Sequence, residues 1–255
     1  MISFERRQRL VNILKEQPGI NVPELSRKLD VSEGTVRNDL NNLAELGLLV
    51  RVRGGAVVKD VDKKQITAFT TRSVTNIEIK ESIARAAAQQ VEDGDSILLD
   101  ASSTVFHLAG FLQDRRNLRI ITNGIEVARK LSNNPYNTVI LVGGFLSSDG
   151  HSITGLMSDF FLKDLHVKKA FVSSSGFALH EGLTEINIHE AQLKRRMIGC
   201  AELVIALIDS SKFGKVDLTS FVDAHQIHHL FTDHYLSAEW QKQLHEENID
   251  FTLCG

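Results

Sequence analysis

The chain has 255 residues, of which 42% are hydrophobic and 24% charged, and its formal net charge is −3. This composition is typical of a globular protein, and the length favours two domains. No apolar run reaches the roughly 18 residues of a membrane span, the N-terminus lacks a signal-peptide stretch, and Cys200 and Cys254 form no CxxC motif, so we expect a cytoplasmic protein without a metal site.

Charge is distributed unevenly along the chain. Residues 1–60 carry ten Lys or Arg against eight Asp or Glu, a balance of +2, whereas the remainder carries 19 against 24, a balance of −5. An excess of +2 gives DNA binding only modest support, because the positions of the arginines matter more than their number. A solvated charged face explains any one cluster equally well. The clusters comprise Arg6, Arg7, Arg9, Arg37, Arg51 and Arg53.

Three short helices are predicted in the first 50 residues. The first covers about 3–17, and Pro18-Gly19 ends it. The second begins near Val22-Pro23, since proline suits the first turn of a helix. Ser32 is a suitable N-cap for the third helix, which we expect over 33–46.

The third helix carries the residues that indicate DNA binding. Its apolar side chains recur at helical spacing and are expected to face the core at Val36, Leu40, Leu43 and Leu46. Polar side chains on the opposite face can bond to base edges and phosphates. Two short helices and a tight turn before such a helix are typical of a helix-turn-helix whose second helix enters the major groove. The predicted DNA contacts on this element are Ser32, Thr35, Arg37, Asn38 and Asn41.

A β-hairpin is predicted directly after these helices. In the stretch 48–58 apolar residues alternate with Arg51 and Arg53, and Gly54-Gly55 marks the turn. We expect the basic face to lie against the phosphate backbone as a wing, with both arginines contacting DNA. The alternative is an ordinary surface hairpin with charged outward positions, which the three preceding helices disfavour.

The N-terminal residues resemble the DNA-binding domain of the DeoR family, bacterial regulators of sugar catabolism. The matching stretches are 22–26, 31–40, Leu43, Gly47, Leu49 and 51–56. Family members usually have two arginines where this chain has Arg37-Asn38, so the resemblance does not imply an operator sequence. It does imply a winged helix-turn-helix over residues 1–58.

A polar, weakly periodic segment over 59–76 is predicted to link this domain to a second one, residues 77–255. There apolar runs alternate with helical segments, the first of which we expect near 78–91. Repeated buried strands with helices between them indicate an α/β domain around a parallel sheet, so the predicted fold class is α/β. The strands are expected at 96–100, 118–122, 138–142, 170–173, 203–208, 229–232 and 250–253.

Small polar loops follow successive predicted strands. In open parallel sheets ligands bind beyond the carboxyl ends of the strands, and small residues there let backbone amides approach a phosphate at a helix N-terminus. Any one loop is also explained as an ordinary turn. Five loops at the same topological position indicate an anionic ligand such as a phosphorylated sugar. They are 100–104, 122–124, 143–144, 173–176 and 209–212.

The larger domain resembles the sensor domain of the same family, so the likeness covers about residues 4–253. Its matching positions are Lys80, 100–104, 122–123, 143–144, Gly155, 182–184, Glu190, Lys194 and 209–213. That sensor domain resembles ribose-5-phosphate isomerase-like and glucosamine-6-phosphate deaminase-like folds. The resemblance implies phosphosugar contacts from Asp100, Ser102, Ser103, Thr104, Asn123, Gly143, Gly144 and Lys212.

Three alternatives concern this larger domain. Glu190 and Lys194 lie four residues apart, which a solvated salt bridge explains as well as a ligand contact. A phosphosugar isomerase needs a carboxylate base, but nothing in the sequence fixes two carboxylates as an acid–base pair. His225 and His229 have the spacing of a zinc site on a helix, yet no third ligand has a defined spacing, so ordinary histidines are favoured. The available carboxylates are Asp100, Glu185, Glu190 and Asp209.

These observations predict a transcription regulator rather than an enzyme. We expect it to bind double-stranded operator DNA as a homo-oligomer, either a dimer or a tetramer, because paired half-sites supply affinity that one small reading head lacks. A phosphorylated sugar is the expected effector, and no cofactor is expected. Repression of a carbohydrate-catabolism operon, rather than activation, rests on the family resemblance.

Overall fold

A computed structural model describes residues 3–17, 19–45, 49–52, 55–58, 68–155 and 162–255. The chain divides into two compact units, Met1–Glu78 and Ile79–Gly255. Each unit has its own buried core, and each is described by itself below. No helix in the described part of the chain is long and apolar enough to cross a membrane.

The first unit contains the three predicted helices and the predicted hairpin. The helices are α1 (Ser3–Glu16), α2 (Val22–Leu29) and α3 (Glu33–Glu45). Strands β1 (Leu49–Val52) and β2 (Gly55–Val58) pair antiparallel, with Leu49 opposite Val58 and Val52 opposite Gly55. Leu46, which we placed at the end of α3, lies outside the described residues, as does Gly47.

Local capping explains where α2 and α3 begin. The Asn21 side chain accepts a hydrogen bond from the Glu24 amide at 2.9 Å, and the Ser32 hydroxyl accepts one from the Thr35 amide at 3.1 Å. Each cap satisfies an amide that has no partner inside its helix. Apolar side chains from all three helices and the hairpin then pack into one core and fix the rotation of α3. This core includes Leu10, Leu14, Val22, Leu25, Leu29, Val36, Leu40, Leu43, Leu49 and Ala56.

A further helix, α4 (Ala68–Val74), lies inside the segment that we predicted to be a linker. Phe69 is buried, and Val74 packs against the core of the first unit. Seven residues give only two helical turns, too few for a clear period in the sequence. The segment predicted to be a linker therefore contains a helix over 68–74, while 59–67 lies outside the described residues.

The second unit is built around a seven-stranded sheet in which every neighbouring pair is parallel, which confirms the predicted α/β class. Its strands are β3 (Ser96–Leu99), β4 (Arg119–Thr122), β5 (Thr138–Leu141), β8 (Val167–Val172), β11 (Ala201–Leu207), β13 (His229–Asp233) and β14 (Phe251–Cys254). Helix α5 (Ile77–Ala88) begins two residues before this unit, and the other helices of the unit are α6 (Ser103–Phe111), α7 (Ile125–Leu131), α8 (Ile188–Ile198) and α9 (Ala238–Glu246).

The order of the strands is β14-β13-β11-β8-β3-β4-β5. From β3 the chain first adds β4 and β5 on one side and then returns to add β8 on the other. The switch point of the sheet therefore lies at the carboxyl ends of the adjacent strands β3 and β8, where the following loops leave in opposite directions. All the predicted loops lie at the carboxyl ends of parallel strands and so share one edge of this sheet.

Two smaller antiparallel elements were not predicted. One is a sheet of β9 (Gly176–Ala178), β10 (Gly182–Glu185) and β12 (Thr219–Val222), and the other is the hairpin of β6 (Phe145–Leu146) and β7 (Ile153–Thr154). Strands of two to four residues are too short to show alternation. Gly182 has φ +68° and lies so close to the Val222 carbonyl that a side chain would collide with it.

Candidate functional site

Helix α3 presents a polar outer face. Arg37, Asn38 and Asn41 are exposed, as is Ser32 at the N-cap, and Thr35 is half-buried beside it. The Arg37 guanidinium lies 2.7 Å from the Glu33 carboxylate, with the two side chains 57% and 44% exposed. An ion pair this exposed contributes little stability, so Arg37 can exchange Glu33 for DNA at small cost.

Two arginines near the N-terminus do not face outward. The Asp39 carboxylate on α3 is buried and accepts hydrogen bonds from Nε of Arg6 and Nε of Arg7, both at 2.6 Å. Arg7 is itself buried. These two arginines therefore connect α1 to the inner side of α3. Their charge is largely neutralised by Asp39 and contributes little to an outer, DNA-facing surface.

Of the two hairpin arginines that we predicted to contact DNA, the structure describes Arg51. Arg51 is exposed and pairs with the buried Ala56 across the ladder. The neighbouring Val50 and Val52 are exposed as well, 45% and 43%, so the valines form an outer face instead of packing inward. Arg53 lies outside the described residues.

At the switch point of the large sheet, Asp100 joins the loops after β3 and β8. One carboxylate oxygen accepts from the Ser102 amide and the other from the Ser173 amide, each at 2.9 Å. Asp100 is completely buried, and its second oxygen also lies 3.0 Å from Nζ of Lys194. With both oxygens engaged, Asp100 shapes the site, and its predicted contact with a ligand stays a prediction.

Lys194 on α8 is the centre of this network. Its ammonium lies 2.6 Å from Glu185 and 3.8 Å from Glu190, and it donates to the Ser173 carbonyl at 2.8 Å. Although burial alone would lower the pKa of Lys194, the charges of Asp100 and Glu185 raise it above its usual value. Glu190 and Lys194 do pair, as their spacing allows, but the Lys194 side chain is only 1% exposed, so the pair is not a solvated salt bridge.

The N-terminus of α6 offers unsatisfied donors at the same edge. Ser102 caps the helix by accepting from the Val105 amide at 3.3 Å. The amides of Ser103 and Thr104 receive no acceptor from any described residue, and both residues are buried. Oγ1 of Thr104 is also buried without a hydrogen-bond partner in the described structure. Buried donors at a helix N-terminus favour an anion.

The loop after β4 lies against the loop after β3. A side chain at Gly124 would approach the Cα of Ala101 to 3.0 Å, so glycine allows this close contact. Asn123 is fully buried and donates its Nδ2 to the Ile153 carbonyl at 3.1 Å. Its Oδ1 accepts no hydrogen bond from the described residues. Asn123 follows β4, and the donors of α6 follow the neighbouring strand β3. The free acceptor of Asn123 and the free donors of α6 therefore lie at the ends of two adjacent strands.

Gly143 and Gly144 follow β5, the edge strand, and both are exposed. Gly144 has φ +156°, and a side chain there would lie 2.6 Å from the Thr154 carbonyl. Glycine at this position therefore allows the β6–β7 hairpin to fold back. A side chain at Gly143 would meet no atom within 4 Å. A ligand contact from either glycine remains a prediction.

Lys212 approaches the switch point from the other side. It lies at the end of a 3₁₀ turn, Ser210–Lys212, and its ammonium donates to the Ser174 carbonyl at 2.6 Å and to the Ser173 hydroxyl at 3.2 Å. Burial lowers its pKa from the usual value, while Asp209 at 3.8 Å opposes that shift. A bound anion would favour the charged form of this lysine.

The predicted ligand contacts did not include every residue of this site. Ser173, Glu185 and Lys194 complete the network, but the burial of Glu185 depends on the small sheet that was not predicted. The spacing of Glu190 and Lys194 on a helix was the available signal. It could not reveal that Lys194 turns inward.

We also searched the described residues for metal ligands and for cavities away from this edge of the sheet. No group of three or more His, Cys, Asp or Glu among them could hold a metal ion, and His229 is engaged with the Thr252 hydroxyl at 2.8 Å. A cavity of about 680 Å³ lies at the amino-terminal ends of β8 and β11, opposite the predicted site. Its lining includes Lys163, His166, Arg195, Arg196 and Cys200.

Two family models match the chain, and together they cover most of it. The DeoR-like helix-turn-helix domain matches residues 6–61, and the DeoR C terminal sensor domain matches residues 75–234.

Three similar proteins are transcriptional regulators. The HTH-type transcriptional regulator GolR of Listeria innocua is 38% identical over 254 residues, which cover 100% of both chains. The glycerol-3-phosphate regulon repressor of Escherichia coli is 30% identical over 254 residues, again 100% of both. The lactose phosphotransferase system repressor of Streptococcus mutans is 35% identical over 231 residues, 90% of this chain and 91% of that protein.

Among solved structures, ribose 5 phosphate isomerase A from Neisseria gonorrhoeae is similar over 55% of this chain and 54% of that chain. The identity is 12% and the TM-score 0.41. The likeness is low.

Proposed function

Since this chain belongs to the DeoR family of DNA-binding transcription regulators, we propose that it represses a carbohydrate-catabolism operon and that a phosphorylated sugar releases it from the operator. The observation that supports a phosphorylated effector is the group of buried, unsatisfied donors at the start of α6. The names of two relatives, a glycerol-3-phosphate regulon repressor and a lactose phosphotransferase system repressor, agree with an effector of this class.

The phosphate group of the effector would lie at the N-terminus of α6. The amides of Ser103 and Thr104 and the Thr104 hydroxyl are donors that a phosphate oxygen satisfies, and the positive end of the helix dipole adds to the attraction. Lys212, whose pKa burial lowers, gains a counter-ion when the phosphate binds. Both features favour an anion over a neutral sugar.

The sugar part of the effector suits the remaining groups. Asn123 Oδ1 accepts no hydrogen bond from the described residues, and a sugar hydroxyl is a donor that would satisfy it. Glu190 is partly exposed at the margin of the Lys194 network, where a second hydroxyl can donate to it. A plain inorganic phosphate would leave the Asn123 acceptor unused, so we expect it to bind more weakly than a sugar phosphate.

Release of DNA requires that the effector prefer the state that does not bind the operator. Coupling between two sites is typically about 1–3 kcal/mol, which corresponds to roughly a 5–150-fold loss of operator affinity. We further propose that the protein binds DNA as a symmetric oligomer, because two half-sites read together multiply the affinity of one small head.

The proposal is tested by fluorescence anisotropy of the full chain on DNA from upstream of its own gene, at fixed salt, with a panel of sugar phosphates. We expect tight binding that one compound reverses, with inorganic phosphate as the control that does not. Binding no tighter than to random DNA would contradict the proposal. Tight binding that no sugar phosphate changes would contradict the effector alone.

Arg37→Ala is expected to weaken operator binding by about 1–3 kcal/mol and to relax the preference for operator over random DNA, because a guanidinium that bonds to a base carries sequence information. The measurement is anisotropy on both DNAs. Arg129→Ala is a matched control, since Arg129 is also exposed and paired with a glutamate on its own helix. An equal loss on both DNAs would show that Arg37 contacts only the phosphate backbone.

Arg51→Ala is expected to weaken binding to operator and random DNA alike, because the wing arginine faces the backbone. One phosphate contact fewer reduces the slope of log affinity against log salt by about 1. Titrations at several salt concentrations measure that slope. An unchanged slope would place Arg51 away from the DNA.

A further inference from the structure

The cavity of about 680 Å³ at the amino-terminal ends of β8 and β11 has the size of a small-molecule site. Such sites typically measure roughly 300–1,000 Å³. Four of its eight described lining residues are basic, and none of the eight is an aspartate or a glutamate. We call it the basic cavity, and its basic residues are Lys163, His166, Arg195 and Arg196.

The positive charge of the basic cavity comes from two separate segments. Lys163 and His166 precede β8, whereas Arg195 and Arg196 lie in the last turn of α8, and all four are exposed. Basic residues in the last turn of a helix are ordinary, because they compensate the helix dipole. The dipole does not account for Lys163 and His166, which belong to the other segment. A ligand that both segments bind explains why four basic side chains share one cavity.

Cys200 joins the two segments at the wall of the basic cavity. Its sulfur lies 3.0 Å from the Leu162 carbonyl oxygen and 3.3 Å from the Arg196 carbonyl oxygen. Leu162 is buried and Leu165 half-buried, so the cavity also has an apolar part beside its charges. This combination suits an organic anion better than a bare ion, because such a molecule has both a charged and an uncharged surface.

We propose that the basic cavity binds a small molecule that carries two phosphate groups. Lysine and arginine are the side chains that recognise phosphate, and a guanidinium can donate two parallel hydrogen bonds to it. Each of the two segments supplies one pair of basic side chains, so each pair can bind one phosphate. The site is separate from the proposed effector site, since it lies at the opposite edge of the sheet from the N-terminus of α6.

The test uses Cys200 as a reporter within the basic cavity of the full chain. Iodoacetamide alkylates accessible thiols, and mass spectrometry of the digested protein gives the rate at each cysteine. Cys254 is the internal reference, because it is buried and burial raises its pKa to about 11, so we expect it to react slowly throughout. The probes are pyrophosphate and a hexose bisphosphate, each compared with inorganic phosphate at matched ionic strength.

We expect at least one of the two probes to slow the alkylation of Cys200. At ten times its dissociation constant a ligand should slow the reaction by about 10-fold, since only the unoccupied protein reacts. Inorganic phosphate at the same concentration should change the rate much less, because it fills only half of the site. The two probes also identify the kind of ligand. Pyrophosphate joins its phosphates directly, as a nucleoside diphosphate does, whereas the hexose separates them.

Substitutions in each segment place the ligand in the basic cavity. Lys163→Gln and Arg196→Gln are each expected to raise the probe concentration that gives half-protection by about 10-fold, because each removes a charge-assisted hydrogen bond. Arg129→Gln is the matched control, since Arg129 is an exposed arginine on α7, and it should leave that concentration unchanged. Urea unfolding establishes that all three variants are folded.

Three results would overturn the proposal: neither probe protects Cys200 at millimolar concentration, inorganic phosphate protects it as strongly as the probes, or Lys163→Gln and Arg196→Gln both respond like Arg129→Gln. The last result would mean that the probe binds elsewhere and reaches Cys200 indirectly. None of these measurements involves DNA or the effector, so the outcome is independent of the proposed function.

Discussion

Lys194→Met is expected to lower the free energy of unfolding of the second unit by about 3–5 kcal/mol. Methionine fills much of the space of lysine but leaves Asp100 and Glu185 buried without their shared counter-ion, and removing one partner of a buried network typically costs this much. Urea unfolding followed by Trp240 fluorescence measures it. Trp240 suits this purpose because it packs against Phe177 and Phe213 in the core of that unit.

Two companion variants show whether the loss comes from the network. Lys242→Met removes an exposed lysine that pairs with Glu246 on the surface and is expected to change the stability by less than about 0.5 kcal/mol. Adding Glu185→Gln to Lys194→Met removes one of the stranded charges and should recover part of the loss. A Lys194→Met variant within about 1 kcal/mol of the original chain would mean that the buried carboxylates do not depend on this lysine.

The same network predicts how stability varies with pH. The charges of Asp100 and Glu185 raise the pKa of Lys194 despite its burial. A lysine with a raised pKa in the folded state contributes its full stability below the ordinary lysine pKa and loses it as pH rises above that value. The contribution of Lys194 is therefore constant through the neutral range.

Lys212→Met is expected to leave operator binding within about 2-fold of the original while abolishing release by the sugar phosphate. Lys212 lies in the second unit at the carboxyl ends of β8 and β11, and its ammonium is the cation that the phosphate would neutralise. If the coupling is about 1–3 kcal/mol, the operator affinity measured with saturating effector should be roughly 5–150-fold higher in the variant than in the original chain. Anisotropy with and without effector gives both numbers.

Lys242→Met again serves as the control, now for release, which it should not affect. Circular dichroism and urea unfolding establish that Lys212→Met is folded. A folded variant that also loses operator binding would show that Lys212 supports the DNA-binding state itself. A variant that still responds normally to the effector would exclude Lys212 as a phosphate contact.

Much of the architecture could be predicted because the local signals agree with the fold. Ser32 has the side chain that an N-cap requires, and the structure uses it in that way. The parallel strands are continuous apolar runs such as 203–208, because both faces of the central sheet are covered. The position of the loops at one edge followed from the parallel arrangement alone.

The remaining features depend on tertiary contacts that no local pattern shows. Arg6 and Arg7 belong to a basic cluster in the sequence, yet they turn inward because Asp39 of α3 lies within reach. Lys194 has the spacing of a surface ion pair, and only the return of Asp100 and Glu185 to its side makes it a buried centre. In each case the partners come from separate elements of the fold.

The pairing of β3 with β8 also bears on how the chain is made. The Lys168 amide bonds to the hydroxyl of Ser96, 72 residues earlier, so the middle of the sheet closes only after a long intervening stretch has been synthesised. The first unit, whose contacts lie close together in sequence, needs no such delay and can fold while the ribosome is still translating. Until residue 172 emerges, β3 keeps one unpaired edge. A chain stalled before that point would have a folded first unit and an incomplete sheet whose open edge is prone to aggregation.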